Sequence, residues 1–296
     1  MPRRSQPPAG ISDPGYSRIS SFLSTIHGNF GENLGSSMQF LLNWPAWLSF
    51  FVVSAVTTLT AVGGLQLVRK RYSAEALKEN HEVAAIIFNA FGLFYGVMVA
   101  FVVFVTWTGY SEATKNLQME ANEVDDIFHI TQALPDPARK VIRQGLIDYI
   151  ASVYNDELTR MSQGEISLHS NPAMARLITV VYQMDEKSIP NRELYAETVK
   201  RLNNLAQYRR LRIFAGNDTV PSVVWLVLLV GGVFTISYTW LFGMKNLRAQ
   251  YMIATTLTVT ITLILFLIYV LDHPFTGTSK VSAEPLKEVM EIIQKE

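Results

Sequence analysis

The chain has 296 residues, 49% of them hydrophobic and 17% charged, with 25 basic and 25 acidic side chains and a formal net charge of zero. That balance gives no support to a nucleic-acid-binding surface, which needs a strongly basic face. Cysteine is absent, which excludes a disulfide frame and thiolate chemistry whichever compartment the polar parts occupy.

Residues 1–40 are polar and rich in Pro and Gly at their start, and they lack the apolar core and cleavage site of a signal peptide. Within them Ile19, Phe22, Leu23, Ile26 and Phe30 recur at helical spacing, which predicts a short helix lying on the membrane surface. Four long apolar stretches follow, at 41–68, 83–107, 220–244 and 251–271. Each reaches the ~20 residues that a helix needs to cross ~30 Å of hydrocarbon. None carries a charge between those ends, as expected where a charge costs at least ~2.5–3.5 kcal/mol at the bilayer centre.

The fold class is therefore all-α and membrane-integral: four transmembrane helices in two hairpins, with a helical bundle inserted between spans two and three. The domains read as a polar tail (1–40), a first hairpin (41–109), an extramembrane bundle (110–218), a second hairpin (219–272) and a polar C-terminal tail (273–296). Span one opens with Asn43-Trp44-Pro45-Ala46-Trp47, placing Pro at the first turn and tryptophans at headgroup level. In the bundle, Leu117, Ala121, Val124 and Phe128 continue span two as one apolar face. Pro135-Asp136-Pro137, Asn171-Pro172 and Pro190-Asn191 open three further helices. No stretch alternates with period two for long enough to predict a sheet.

Residues 21–40 contain no Lys or Arg, whereas Arg69, Lys70, Arg71 and Lys78 follow span one, and Lys245 and Arg248 lie in the second short link. The positive-inside rule puts both links in the cytoplasm of a bacterial plasma membrane, with both termini and the bundle outside.

Four spans force the start of the bundle, its end and the C-terminal tail onto one side of the membrane. Glu120, Glu123 and Asp126, at three-residue steps on one helix, thus share a face with Arg209, Arg212 and Asp272. Like charges so close call for arginines or a bound cation among them, so Glu120, Glu123, Asp126 and Asp272 are candidates for ion binding or for charge at a pore mouth. Asp272 ends an apolar helix, where the macrodipole disfavours an anion by roughly 0.3–1 kcal/mol. Arg209 and Arg212 are its candidate ion-pair partners.

On span two, Phe91, Phe94, Met98 and Phe101 form a stripe that reads either as packing or as a hydrophobic constriction lining a pore. Gly92 and Gly96 on the same span permit close helix approach. Span four carries Thr255, Thr256, Thr258, Thr260 and Thr262, whose hydroxyls can bond the helix or a neighbour. There is no phosphate-cradling glycine loop, no metal-binding His pair and no nucleophile elbow, so no enzyme is expected.

Two groups of residues carry a family resemblance. One is the run from Phe91 to Val97 with Ala100-Phe101, Trp107, Tyr110-Ser111, Ala113 and Glu120-Ala121. The other is Val220-Pro221, Trp225, Asn246, Gln250 and the ending Leu271-Asp272-His273-Pro274-Phe275-Thr276-Gly277. Over residues 41–290 the chain resembles the bacterial membrane-protein family labelled bestrophin-like. The resemblance implies a homo-oligomeric ring around an ion path lined by the second span, as in the pentameric anion channels of bestrophins proper. It also implies a cytosolic helical region, opposite to the charge count. A non-conducting scaffold or sensor, whose bundle binds a partner or ligand, is the alternative function.

Overall fold

The computed structural model describes residues 44–73, 81–165, 171–184, 191–244 and 246–295. The surface helix expected within 1–40, and Lys245, lie outside them. The described chain is helical, with no strand. Four helices are long and apolar enough to cross a membrane.

Helix α1 (Ala46–Arg71) starts after Pro45 and ends on Arg69, Lys70 and Arg71. Its inward face is made of Ser49, Ser54, Ala61 and Leu65. These mostly small residues let the α1 backbone lie close to its neighbours. Helix α2 (His81–Thr131) is unbroken over 51 residues, about 75 Å at 1.5 Å per residue. That is more than twice the hydrocarbon thickness, so one rigid rod belongs to both the membrane and the bundle.

The bundle begins with α3 (Asp136–Ser152), which runs through a π-helical turn (Val153–Glu157) into the short α4 (Leu158–Ser162). Helix α5 (Pro172–Tyr182) is capped by Asn171, whose side chain accepts from the Ala173 and Met174 amides at 2.9 and 3.1 Å. Helix α6 (Arg192–Asn217) is capped by Asn191, which accepts from Glu193 N–H at 2.8 Å. Both caps fall where the sequence put them, because Asn satisfies amides left open in the first turn.

After a non-helical joint at 218–221 the chain enters the membrane as α7 (Ser222–Leu241) and returns as α8 (Leu247–Leu271). Helices α2 and α6 lie side by side along the bundle.

The segment 273–296 differs from the polar tail expected of it. It forms α9 (Glu284–Lys295), whose Leu286, Val289 and Ile293 are buried in the bundle core beside Leu117, Phe128, Ile142 and Leu146. Arg143 ties this helix down by donating to the Ile293 carbonyl at 2.5 Å. The apolar residues at i, i+3 and i+7 are a complete helical stripe, and only their polar surroundings obscured it.

Among the spans, Thr57 and Thr262 hydroxyls meet at 3.0 Å and join α1 to α8. Thr258 instead bonds back to the Ala254 carbonyl at 2.7 Å. The closest approaches involve glycines the sequence did not single out. A Cβ on Gly231 would stand 2.5 Å from the Tyr95 ring, and one on Gly64 would stand 2.5 Å from the Trp240 ring. Tyr95 lies across α7 there and donates to the Leu228 carbonyl at 2.9 Å. At the far boundary Gln250 donates to the Thr239 and Phe242 carbonyls at 3.0 and 2.8 Å, and it accepts from Arg69 Nε at 2.9 Å. The end of α1 is thus locked to the turn between α7 and α8.

Candidate functional site

The bundle is built around a buried ionic network. Charges that fall on core-facing stripes create it: Glu120 lies among Leu117, Ala121 and Val124, Glu157 follows Tyr149 and Val153, and Arg212 sits beside Leu205 and Ile213. Arg212 is fully buried and bridges α2 to the π-turn. Its Nε donates to Glu120 at 2.6 Å, its Nη2 to Glu120 at 3.2 Å, and the same Nη2 to Glu157 at 2.6 Å. Tyr149 donates to Glu120 at 2.7 Å. Glu157 also receives Arg209 Nε at 2.9 Å and Asn171 Nδ2 at 2.6 Å. Asn171 therefore caps α5 and fixes Glu157 with the same amide group.

Two carboxylates and two guanidinium groups balance, which is how buried charge is tolerated. Burial opposes the charge on Arg212, but Glu120 and Glu157 more than offset it and hold its pKa above the ordinary value. Burial likewise pushes Glu157 up, yet Arg212 and Arg209 outweigh it and leave the carboxyl below its usual range. Burial, then the Glu120 carboxylate, push the Tyr149 phenol well above its normal range, so it stays a donor.

This geometry corrects several sequence expectations. Glu120 is fully buried and Glu123 nearly so, so neither puts charge at an aqueous mouth. Glu123 takes Asn204 at 3.2 Å and Arg201 at 3.4 Å, and Asp126 takes Arg201 at 2.6 Å. Guanidinium groups of the same chain thus fill the acidic cluster that suggested a cation. Among the described residues no group of three or more His, Asp or Glu converges to hold a metal.

Arg209 and Arg212 pair with Glu157 and Glu120, not with Asp272. Asp272 is buried and accepts from Val220 N–H at 2.7 Å and from Trp225 Nε1 at 3.3 Å. The sequence argument placed it at the unfavourable C-terminus of α8. In three dimensions it lies against the start of α7, where unbonded amides and a positive dipole end favour an anion. Pro221 offers no side-chain cap of its own, so Asp272 supplies one from the next helix.

The rest of the Asp272–Gly277 ending fastens the spans to the bundle. Phe275 enters the core, Thr276 reaches the Met161 carbonyl at 3.5 Å, and Val281 N–H closes on the Pro274 carbonyl at 2.7 Å. Gly277 has φ 78°, a left-handed conformation that disfavours any side chain.

The aromatic stripe on α2 divides in two. Phe91 stacks on Tyr95 and meets Phe234 and Tyr238 within the chain, and Met98 packs beside Val99, Val102, Leu228 and Ile268. Their helical phase turns these two toward α7 and α8. Phe94 and Phe101 point outward, 75% and 67% exposed, in line with Leu93, Val97 and Phe104. A Cβ on Gly92 or Gly96 would meet nothing within 4 Å among the described residues, so the small residues there serve no contact with them. Farther along, the same open face turns polar through Thr108, Ser111, Glu112, Lys115 and Asn122.

Glu157, Tyr149, Arg201, Asn171 and Trp225 were not foreseen as site residues. Glu157 had a detectable signal, a carboxylate in phase with an apolar stripe.

These features define an all-helical, multi-pass integral membrane protein in which two spans merge with a bundle held by buried ion pairs. The Bestrophin-like domain model matches residues 55–286, and the chain belongs to the bestrophin-like family. The fold is similar to crystal structures of a bacterial bestrophin homologue from Klebsiella pneumoniae. One variant aligns with a TM-score of 0.65 at 11% identity over 83% of this chain and 97% of that one. Another aligns with 0.62 at 14% identity over 83% and 96%. No curated protein matches the chain.

Proposed function

We propose that the chain is the protomer of a homo-oligomeric ion channel, not an enzyme, in which α2 lines the path and Phe94 and Phe101 form a hydrophobic neck. The observation that carries this reading is the open face of α2. It is the least buried of the four spans, although it is the rod that organises the bundle. A large apolar face without a partner among the described residues marks an interface or a lined passage. Glycines 92 and 96 on that side leave room for a neighbouring helix. The family and the bestrophin fold agree with a channel, since the relative of known structure is itself a bestrophin homologue. Self-association into a ring within the lipid bilayer is the partnership this reading requires.

Planar-bilayer recording of the purified protein tests it. Phe94→Ala and Phe101→Ala raise conductance or leak, whereas Phe91→Ala acts on stability and not on the path. Absence of conductance at every calcium concentration, pH and voltage tried, with a mass in native membranes of one or two protomers, refutes the channel and favours the scaffold or sensor.

The orientation proposed is that of the charge count, with both links in the cytoplasm of the bacterial plasma membrane and both termini and the bundle outside. Because cysteine is absent, single cysteines at 246 and 280 report the topology directly. Labelling of 246 from the outside overturns this orientation and restores the one the family resemblance implies.

A further inference from the structure

We propose that Glu112 and Lys115 join one copy of this chain to the next, the Lys115 ammonium of each copy pairing with the Glu112 carboxylate of its neighbour. This pairing rests on the self-association proposed above and deepens it, because it sets which flank of one copy meets which flank of the next.

Lys115 is the one Lys or Arg in the 51 residues of α2. The acidic side chains farther along that helix are already engaged within the chain. Glu120 takes Arg212, Glu123 and Asp126 take Arg201, and Asp125 lies 3.5 Å from His129. Glu112 and Lys115 are both exposed, and neither forms a hydrogen bond or ion pair with the described residues. Opposite charges at the same spacing do close elsewhere: Glu197 meets Lys200 at 3.3 Å, and Glu284 meets Lys287 at 3.8 Å. The pair on α2 stays open.

Helical phase turns the two charges in different directions. At about 100° per residue, Glu112 stands about five full turns after Phe94 and continues the row of Phe94 and Phe101. Lys115 lies about 60° to one side of that row. Ala113 and Leu117 are both fully buried, and each is about 200° of helical turn from Lys115. Lys115 therefore stands on the side of α2 opposite the core. Both charges lie beyond Trp107, where the apolar run ends, so water and not lipid surrounds them.

A ring of identical chains closes through head-to-tail contacts, in which one flank of a copy meets the opposite flank of the next. With the Phe94–Phe101 row turned to the path, Glu112 faces inward and Lys115 faces the neighbour on one side. All copies of α2 stand at the same height, and three residues add only ~4.5 Å of rise, within reach of a lysine side chain. A Cβ on Gly109, one turn before Glu112, would meet nothing within 4 Å among the described residues, which leaves room for the next helix to approach. Complementary charge at such a contact fixes its register.

The test is a charge swap read as assembly of the full chain in detergent. Glu112→Lys gives two cations at this level of α2, and Lys115→Glu gives two anions. Both sites are exposed, so each variant keeps the wild-type helicity by circular dichroism. At one fixed dilution, each single change lowers the ratio of ring to free protomer about tenfold by native mass, a weak exposed pair multiplied around the ring. Both changes in the same chain restore the ratio to within about threefold of wild type. Co-expressed under different tags, the two single variants capture each other about tenfold more than either captures itself. A contact between Glu112 and Lys115 of one chain exists in free protomers too, and so moves neither ratio. Should a reversed charge disturb the fold, Glu112→Gln and Lys115→Gln carry the test, each losing about threefold and together no more than either alone. Rings unmoved by these changes, or losses that simply multiply in the double variants, overturn the pair and leave the channel reading standing. A wild-type mass of one or two protomers overturns both.

Discussion

Replacing Arg212 by Met strikes the centre of the buried ionic network. Arg212 is fully buried and makes three charged hydrogen bonds, two to Glu120 and one to Glu157. Methionine fills much of the volume but none of the charge. Glu157 keeps Arg209 and Asn171, so its loss is partial. Among the described residues Glu120 keeps only the Tyr149 hydroxyl, and its full burial leaves it a stranded anion. Removing one partner of a buried pair costs about 3–5 kcal/mol. For a chain of this size each kcal/mol lowers Tm by about 2–4 °C, so the drop is about 6–20 °C.

Thermal unfolding followed by circular dichroism in detergent reads this loss. Adding Glu120→Gln to the Arg212→Met variant removes the stranded charge and recovers about 1–3 kcal/mol relative to the sum of the single changes. Arg212→Lys keeps the charge but loses the forked geometry, and falls between Met and wild type. The solvent-facing Arg139, paired with Asp136 on α3, is the control, and Arg139→Ala leaves Tm unchanged. An Arg212→Met variant as stable as that control, or single and double variants that simply add, would refute the claim that this network holds α2 to the rest of the bundle.

Acid is expected to act on the same network. Because Glu157 titrates below its usual value when folded, its stabilisation is present above the unfolded pKa of about 4.3 and is lost as pH falls through the folded value; unfolding midpoints of wild type and Glu157→Gln should converge there. Gly231→Val puts carbon where the Tyr95 ring stands and should cost about 1–3 kcal/mol through overpacking, seen as a lower Tm. The same change at Gly96, with open space around it, should leave protomer stability intact. Ile293→Ala empties a fully buried site in α9 and should lose about 2–5 kcal/mol, with faster tryptic release of the C-terminal segment. Unchanged release would mean that α9 is not part of the core.

Much of the fold is legible in the sequence because its signals are local. Four charge-free runs identify the spans, and Asn171-Pro172 and Asn191 announce helix starts that the structure reproduces. The C-terminal helix was equally legible in Leu286, Val289 and Ile293, but a polar composition masked the stripe. The candidate site was legible only as a list of unusual charges. That Glu120, Arg209 and Arg212 share a membrane side follows from counting spans. That Arg212 reaches Glu120 and Glu157 while Asp272 reaches Val220 does not, because it depends on how helices far apart in the chain are rotated about their axes. The aromatic stripe on α2 shows the same limit. Phe91 and Phe94 are three residues apart, yet one packs inside the chain and the other faces out, and that division is set by where α7 lies.

Composition and length by themselves settled that the chain is helical and crosses the lipid repeatedly, since hydrocarbon thickness and the cost of unpaired charge act on each segment alone. Only the tertiary structure decided which carboxylate meets which guanidinium, which face of α2 stays open, and that Asp272 caps a neighbouring helix. Those outcomes depend on distances between residues 52 to 133 positions apart, a quantity that no local pattern encodes.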